Sequence, residues 1–129
     1  MNAINRLACA SLLALMSTSV SGGEIVKEFR GTNSTTTAEF TVDGPWLLDW
    51  HVNSDYTELI ALDISLIEAK TGRHVGRVLR TRHRGNGLKL FNDGGVYQLR
   101  ISSTFARWTI KIEQITAEEA PLYTPRRNN

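Results

Sequence analysis

From Ala38 onward the apolar residues recur at every second position, the signature of strands that bury one face. Ala38, Phe40 and Val42 share a face before Gly44 and Pro45 interrupt the pattern. Trp46, Leu48, Trp50 and Val52 then line up together, with Asp49 and His51 on the opposite face. After a polar loop spanning residues 53–57, Ile60, Leu62, Ile64 and Leu66 define one side of a longer strand, and Asp63 and Ser65 the other. Residues 58–70 also contain good helix formers, but the isoleucines and the strict alternation favour a strand over a helix.

Thr71 and Gly72 predict a turn into a strand over residues 75–80. Arg84, Gly85, Asn86 and Gly87 predict a flexible loop, followed by a short strand from Leu88 to Phe91. Asn92, Asp93, Gly94 and Gly95 form the strongest hairpin signal, because these residue types tolerate the positive φ that tight hairpin turns demand. Tyr97, Leu99 and Ile101 alternate next, and Trp108, Ile110 and Ile112 follow a loop at residues 102–106. With a first strand around Ile25 to Phe29, the count is about eight, which predicts an all-β antiparallel β-sandwich or jelly roll. The alternation stops after Ile115, so residues 116–129, with Pro121 and Pro125, read as an extended or frayed tail.

The beginning of the chain has a different texture. Arg6, an apolar run from Leu7 to Met16 and small residues from Ser17 to Gly23 fit a cleaved secretory signal peptide, too short to span a bilayer. The expected organisation is a signal peptide at 1–22, a β-sandwich at 23–115 and a tail at 116–129, with the mature domain periplasmic or secreted and not membrane-spanning. Cys9, the single cysteine, falls inside the leader, so the exported domain would hold no disulfide and would rely on packing. Arg6 stands where a lipoprotein signal needs an aliphatic residue, and the apolar run follows Cys9 rather than preceding it, which argues against a lipid anchor.

Net charge is uninformative, at +2 for the whole chain. Its distribution is not. Residues 24–68 carry nine acids against Lys27 and Arg30, whereas residues 70–89 carry seven basic side chains and no acid. Lys70, Arg73, Arg77, Arg80, Arg82, Arg84 and Lys89 could form a surface for an acidic partner, whether an anionic glycan, lipopolysaccharide or an acidic protein face. The plainer alternative is that this stretch neutralises the acidic strands beside it. Simple alternation puts Arg80, Arg82 and Arg84 on one side and turns Arg77 to the other. No aromatic residue is interleaved with the basic run, which argues against nucleic acid.

Trp46, Trp50, Tyr97 and Trp108 invite a sugar-stacking role, but their faces are shared with Leu48, Val52, Ile110 and Ile112, the company of a core. Tyr56 and Phe105 sit in expected loops and are better candidates for a contact surface. Asp49 and His51 point the same way from one strand, yet two ligands do not make a metal site. Asn53, Asp55 and Glu58, or Asn92 and Asp93, could offer oxygen ligands to calcium, although turn chemistry accounts for both sets.

Signatures of catalysis are sparse. There is no GxSxG elbow, P-loop or dinucleotide-binding glycine turn, and the mature chain has no thiol. A hydrolase would have to draw on Asp49, His51 and a serine such as Ser65, or on carboxylates such as Asp49, Asp63 and Glu68. Asn33, Ser34 and Thr35 form a glycosylation sequon that matters only in a eukaryotic source. No cofactor is implied.

The succession Phe40-Thr41-Val42-Asp43-Gly44-Pro45-Trp46, then residues 94–101 (Gly-Gly-Val-Tyr-Gln-Leu-Arg-Ile) and Trp108-Thr109-Ile110-Lys111-Ile112, resembles small exported bacterial β-sandwich proteins. It is also similar to the pre-peptidase C-terminal type of module. That resemblance implies a non-catalytic accessory role beside a larger enzyme, a role that these residues leave without an evident client. The expectation is therefore an exported, non-catalytic binding or structural module. A secreted hydrolase using Asp49 and His51 and an envelope protein inhibitor are the alternatives.

Overall fold

The computed structural model describes residues 23–124; residues 1–22, the expected signal peptide with Cys9, and residues 125–129 lie outside the described residues. Nine strands form two antiparallel sheets. They are β1 (Glu24–Gly31), β2 (Thr35–Thr36), β3 (Phe40–Val42), β4 (Trp46–Asn53), β5 (Ala61–Glu68), β6 (His74–Thr81), β7 (Gly85–Phe91), β8 (Gly95–Thr104) and β9 (Arg107–Gln114). One sheet has the order β1-β9-β4-β7; the other runs β2-β8-β5-β6, with β3 pairing β8 beyond β2. The expected all-β sandwich is present, and residues 61–68 are a strand rather than a helix.

Alternation places the core as expected. Trp46, Leu48 and Val52 of β4 meet Leu62, Ile64 and Leu66 of β5, closed by Leu99 and Ile101 of β8 and Trp108, Ile110 and Ile112 of β9. Trp46 stacks on Phe91 at 4.3 Å between ring centroids, and Phe40 meets it edge-on at 5.6 Å. Its indole N–H donates to the Asp93 carbonyl, 2.9 Å away, so burial leaves no donor unpaired. Trp46, Trp108 and Tyr97 are thus core residues, and Trp50 is half-buried against them.

Three local expectations are corrected. The signal at Asn92–Gly95 is not a hairpin: β7 belongs to one sheet and β8 to the other, and this segment is a corner between them. Neither Gly94 nor Gly95 has positive φ; Gly72 does, at 73°, in the β5–β6 hairpin, which does form. Residues 85–87 are strand rather than loop, because Trp50 lies directly across from Gly87 and its ring fills the space a side chain there would take. A Cβ on Gly87 would come within 2.8 Å of that indole. Trp108 covers Gly31 on β1 in the same way, so each edge strand of this sheet carries a glycine under a tryptophan.

The third correction concerns the ninth strand. The strand expected from Ala38 begins at Phe40, and a further two-residue strand, Thr35–Thr36, precedes it; between them the Thr37 hydroxyl accepts the Leu99 N–H at 3.0 Å. At the C-terminus a 3-10 helix, Ala120–Tyr123, lies against β7. It adds order within the segment read as a tail.

Candidate anion-binding face and loop-end cleft

β6 is an edge strand paired only with β5, and its register shifts twice, between Leu66 and Ile67 and, through a bulge, between Ile64 and Ser65. Leu79 lies opposite Ile64 and Arg77 opposite Ser65, leaving Val78 as the additional residue. The bulge therefore reverses the alternation expected for Arg77. Arg77 and Arg80 emerge on the same outer face, where Arg80 is the cross-strand neighbour of Asp63 and the Arg77 Nε approaches the Asp63 carboxylate at 3.7 Å.

The other side of β5 completes the face. Ser65 is flanked across the sheet by Arg77 and Arg100, and Asp63 by Arg80 and Ser102. Strands ~4.8 Å apart put the Arg77 and Arg100 backbones roughly 10 Å from one another with Ser65 between them. Arg82, just beyond β6, shares a cleft of about 190 Å³ with Asp63, Arg80 and Ser102. Arg77, Arg80, Arg82 and Arg100 are all exposed, and Asp63 is the carboxylate set among them. A planar fork on each guanidinium suits sulfate, phosphate or carboxylate. At these exposures the loose Arg77–Asp63 pair holds the guanidinium weakly.

The remaining basic residues go elsewhere. Arg73 donates to Glu68 at 2.9 Å and holds that carboxyl below its usual range. Arg84 reaches the loop end, where its guanidinium donates to the Ser54 carbonyl at 3.4 Å. The half-buried Lys89 spans the open flank between the sheets, its ammonium donating to the Arg77 carbonyl at 3.0 Å and lying 5.6 Å from the Phe91 ring centre. The expected group of Arg73, Arg77, Arg80, Arg82, Arg84 and Lys89 is thus divided. Arg77, Arg80 and Arg82 stay together, and Arg100 joins them. Its outward position was readable from its place between the buried Leu99 and Ile101.

Asp49 and His51 lie on the outer face of the four-stranded sheet, with Lys111 and Thr109 as their β9 neighbours. Ser65 is on the outer face of the other sheet, so the core separates it from His51, and the triad drawn from these residues does not assemble. Asp49 is likewise on the opposite side of the sandwich from Asp63. No group of three His, Cys, Asp or Glu side chains converges to hold a metal among the described residues. No described helix is long and apolar enough to cross a membrane.

A second concavity occurs where the β1–β2, β4–β5 and β8–β9 connections converge. Tyr56 and Phe105, from different loops, bring their ring centres within 4.7 Å while remaining about half exposed. Beside them Arg107 makes a two-pronged contact with Asp55 at 3.0 and 3.1 Å, which lowers the Asp55 pKa and raises that of Arg107. No known protein family matches this chain, and no curated protein is detectably similar to it.

Proposed function

We propose that the protein is an exported, non-catalytic module that binds an anionic glycan on the outer face of its five-stranded sheet. The observation that carries this reading is the grouping of Arg77, Arg80 and Arg100 around Ser65 and Asp63 on one solvent-facing surface. Forked donors spaced along a strand-sized platform suit a polymer with repeated sulfate, phosphate or carboxylate groups. Support for export comes from the charged, apolar and small-residue order of residues 1–23.

The test is chromatography of the mature domain on immobilised heparin and on lipopolysaccharide at low ionic strength. Retention on either matrix, with release as salt screens the contacts, is the expected result. Changing Arg77, Arg80 and Arg100 together to serine should abolish it, whereas Arg30→Ser, on an edge strand of the other sheet, should not. Equal retention of the triple variant, or failure of the unaltered domain to bind either matrix, overturns the assignment.

A further inference from the structure

The loop-end cleft has a chemistry different from that of the arginine face. It is an open concavity of about 370 Å³, within the usual range of roughly 300–1,000 Å³ for small-molecule sites. Tyr56 and Phe105 contribute two aromatic rings tilted by 43° to one another. Thr32, Asn33 and the Arg107–Asp55 pair supply hydroxyl, amide, guanidinium and carboxylate groups around them. Arg107 and Asp55 are the charged side chains lining the cleft, and they cancel.

The rings are held rather than left to collapse. The Ser54 hydroxyl, buried at 3% exposure, accepts the Tyr56 N–H at 3.0 Å and donates to the Phe105 carbonyl, joining the two loops from below. Phe105 has φ 51°, a conformation that costs a bulky residue energy and presents its ring to solvent. An exposed aromatic pair fixed by a buried hydroxyl and a strained backbone is preorganised for a ligand that has an apolar face and a polar rim.

We propose that this cleft binds a neutral hexopyranose unit of an oligosaccharide. The C–H face of the sugar packs on Tyr56 and Phe105, whose ring faces carry negative quadrupole density. Its hydroxyls donate to Asp55 and accept from Arg107 and Asn33, groups with complementary donors and acceptors. Arg107 and Asp55 pair with one another and the Arg84 guanidinium at the rim is engaged on the Ser54 carbonyl, so the charged groups here are already held by protein partners, which favours an uncharged ligand and separates this site from the arginine face.

The experiment is isothermal titration of the mature domain with cellohexaose, maltohexaose, xylohexaose and chitohexaose, all uncharged. Binding of at least one hexopyranose oligomer with a dissociation constant below ~1 mM is expected. Tyr56→Ala and Phe105→Ala should each weaken it by at least about tenfold, while Tyr56→Phe keeps the ring and most of the affinity. Both alanine variants alter exposed side chains, and their circular dichroism should match the unaltered domain. The arginine triple variant should bind these sugars normally. Absence of binding to all four oligomers, undiminished binding by the alanine variants, or preference for the pentose oligomer overturns the proposal.

Discussion

Ser54 and Phe105 are joined through the Ser54 hydroxyl and the Phe105 carbonyl, a contact between the β4–β5 and β8–β9 connections 51 residues apart. The same hydroxyl accepts the Tyr56 N–H, so one buried oxygen ties together the backbone segments that carry both exposed rings. A serine in a polar loop reads in sequence as ordinary turn chemistry. Here it is a cross-loop tether.

Ser54→Ala should therefore lower stability by about 1–3 kcal/mol, the cost of leaving buried partners unsatisfied. For a domain of this size that corresponds to a fall in Tm of at least ~4 °C. Thermal denaturation followed by circular dichroism measures it. An unchanged Tm would show that water or a neighbouring group replaces the hydroxyl.

Lys89→Met should promote self-association. Lys89 satisfies a carbonyl on β6 from β7, the edge strand of the facing sheet, and so covers the open flank with a charge. Methionine keeps the bulk but cannot donate, leaving the Arg77 carbonyl free beside the exposed Leu88 and Val75. Sedimentation velocity should show dimers or larger species absent from the unaltered protein, with stability reduced by about 0.5–1.5 kcal/mol. A strictly monomeric variant contradicts this role.

Glu113→Gln should stabilise the domain at pH 7. On the outer face Glu113 lies opposite Leu47 and Ile25, and burial, followed by the charge of Asp49, raises its pKa above the ordinary 4.5. A raised carboxyl pKa favours the protonated folded state, so its contribution is present at low pH and is lost as pH rises through the folded value. The variant should gain stability at neutral pH and match the parent at pH 3, by urea denaturation at the two pH values.

Asp55 and Glu68 work in the opposite direction. Their arginine partners lower their pKa values below 3.8 and 4.5 respectively, so their stabilising contributions are present above those unfolded-state values and lost as pH falls through the folded ones. Asp55→Asn combined with Glu68→Gln should flatten the acid limb of the stability profile below pH ~4.5. Both pairs are solvent-exposed, so the effect should shrink in high salt. A profile unaltered by the double substitution would remove these pairs from acid unfolding.

Much of the architecture was legible because a strand buries alternate residues, and that period is written directly into Trp46–Val52, Leu62–Leu66 and Trp108–Ile112. Partnership between strands was less accessible. Asn92–Gly95 contains good turn residues, but turn chemistry does not encode whether the next strand returns beside its predecessor or crosses to the facing sheet. The candidate face was only partly visible for the same reason. Val78 is an ordinary strand residue, and the bulge that places it out of register depends on pairing with β5.

Sequence alone determined the all-β character, the buried tryptophans and the concentration of positive charge between Lys70 and Lys89, because side-chain polarity and period are local properties. Tertiary structure decided which charges act together. It turned Arg77 beside Arg80 through a bulge, brought Arg100 across two strands, drew Lys89 onto the Arg77 carbonyl, and joined Tyr56 to Phe105 over the Ser54 hydroxyl. Each of these relationships depends on register or on contact between distant loops, and both are settled by the packing of two sheets around one core rather than by the residues beside them in the chain.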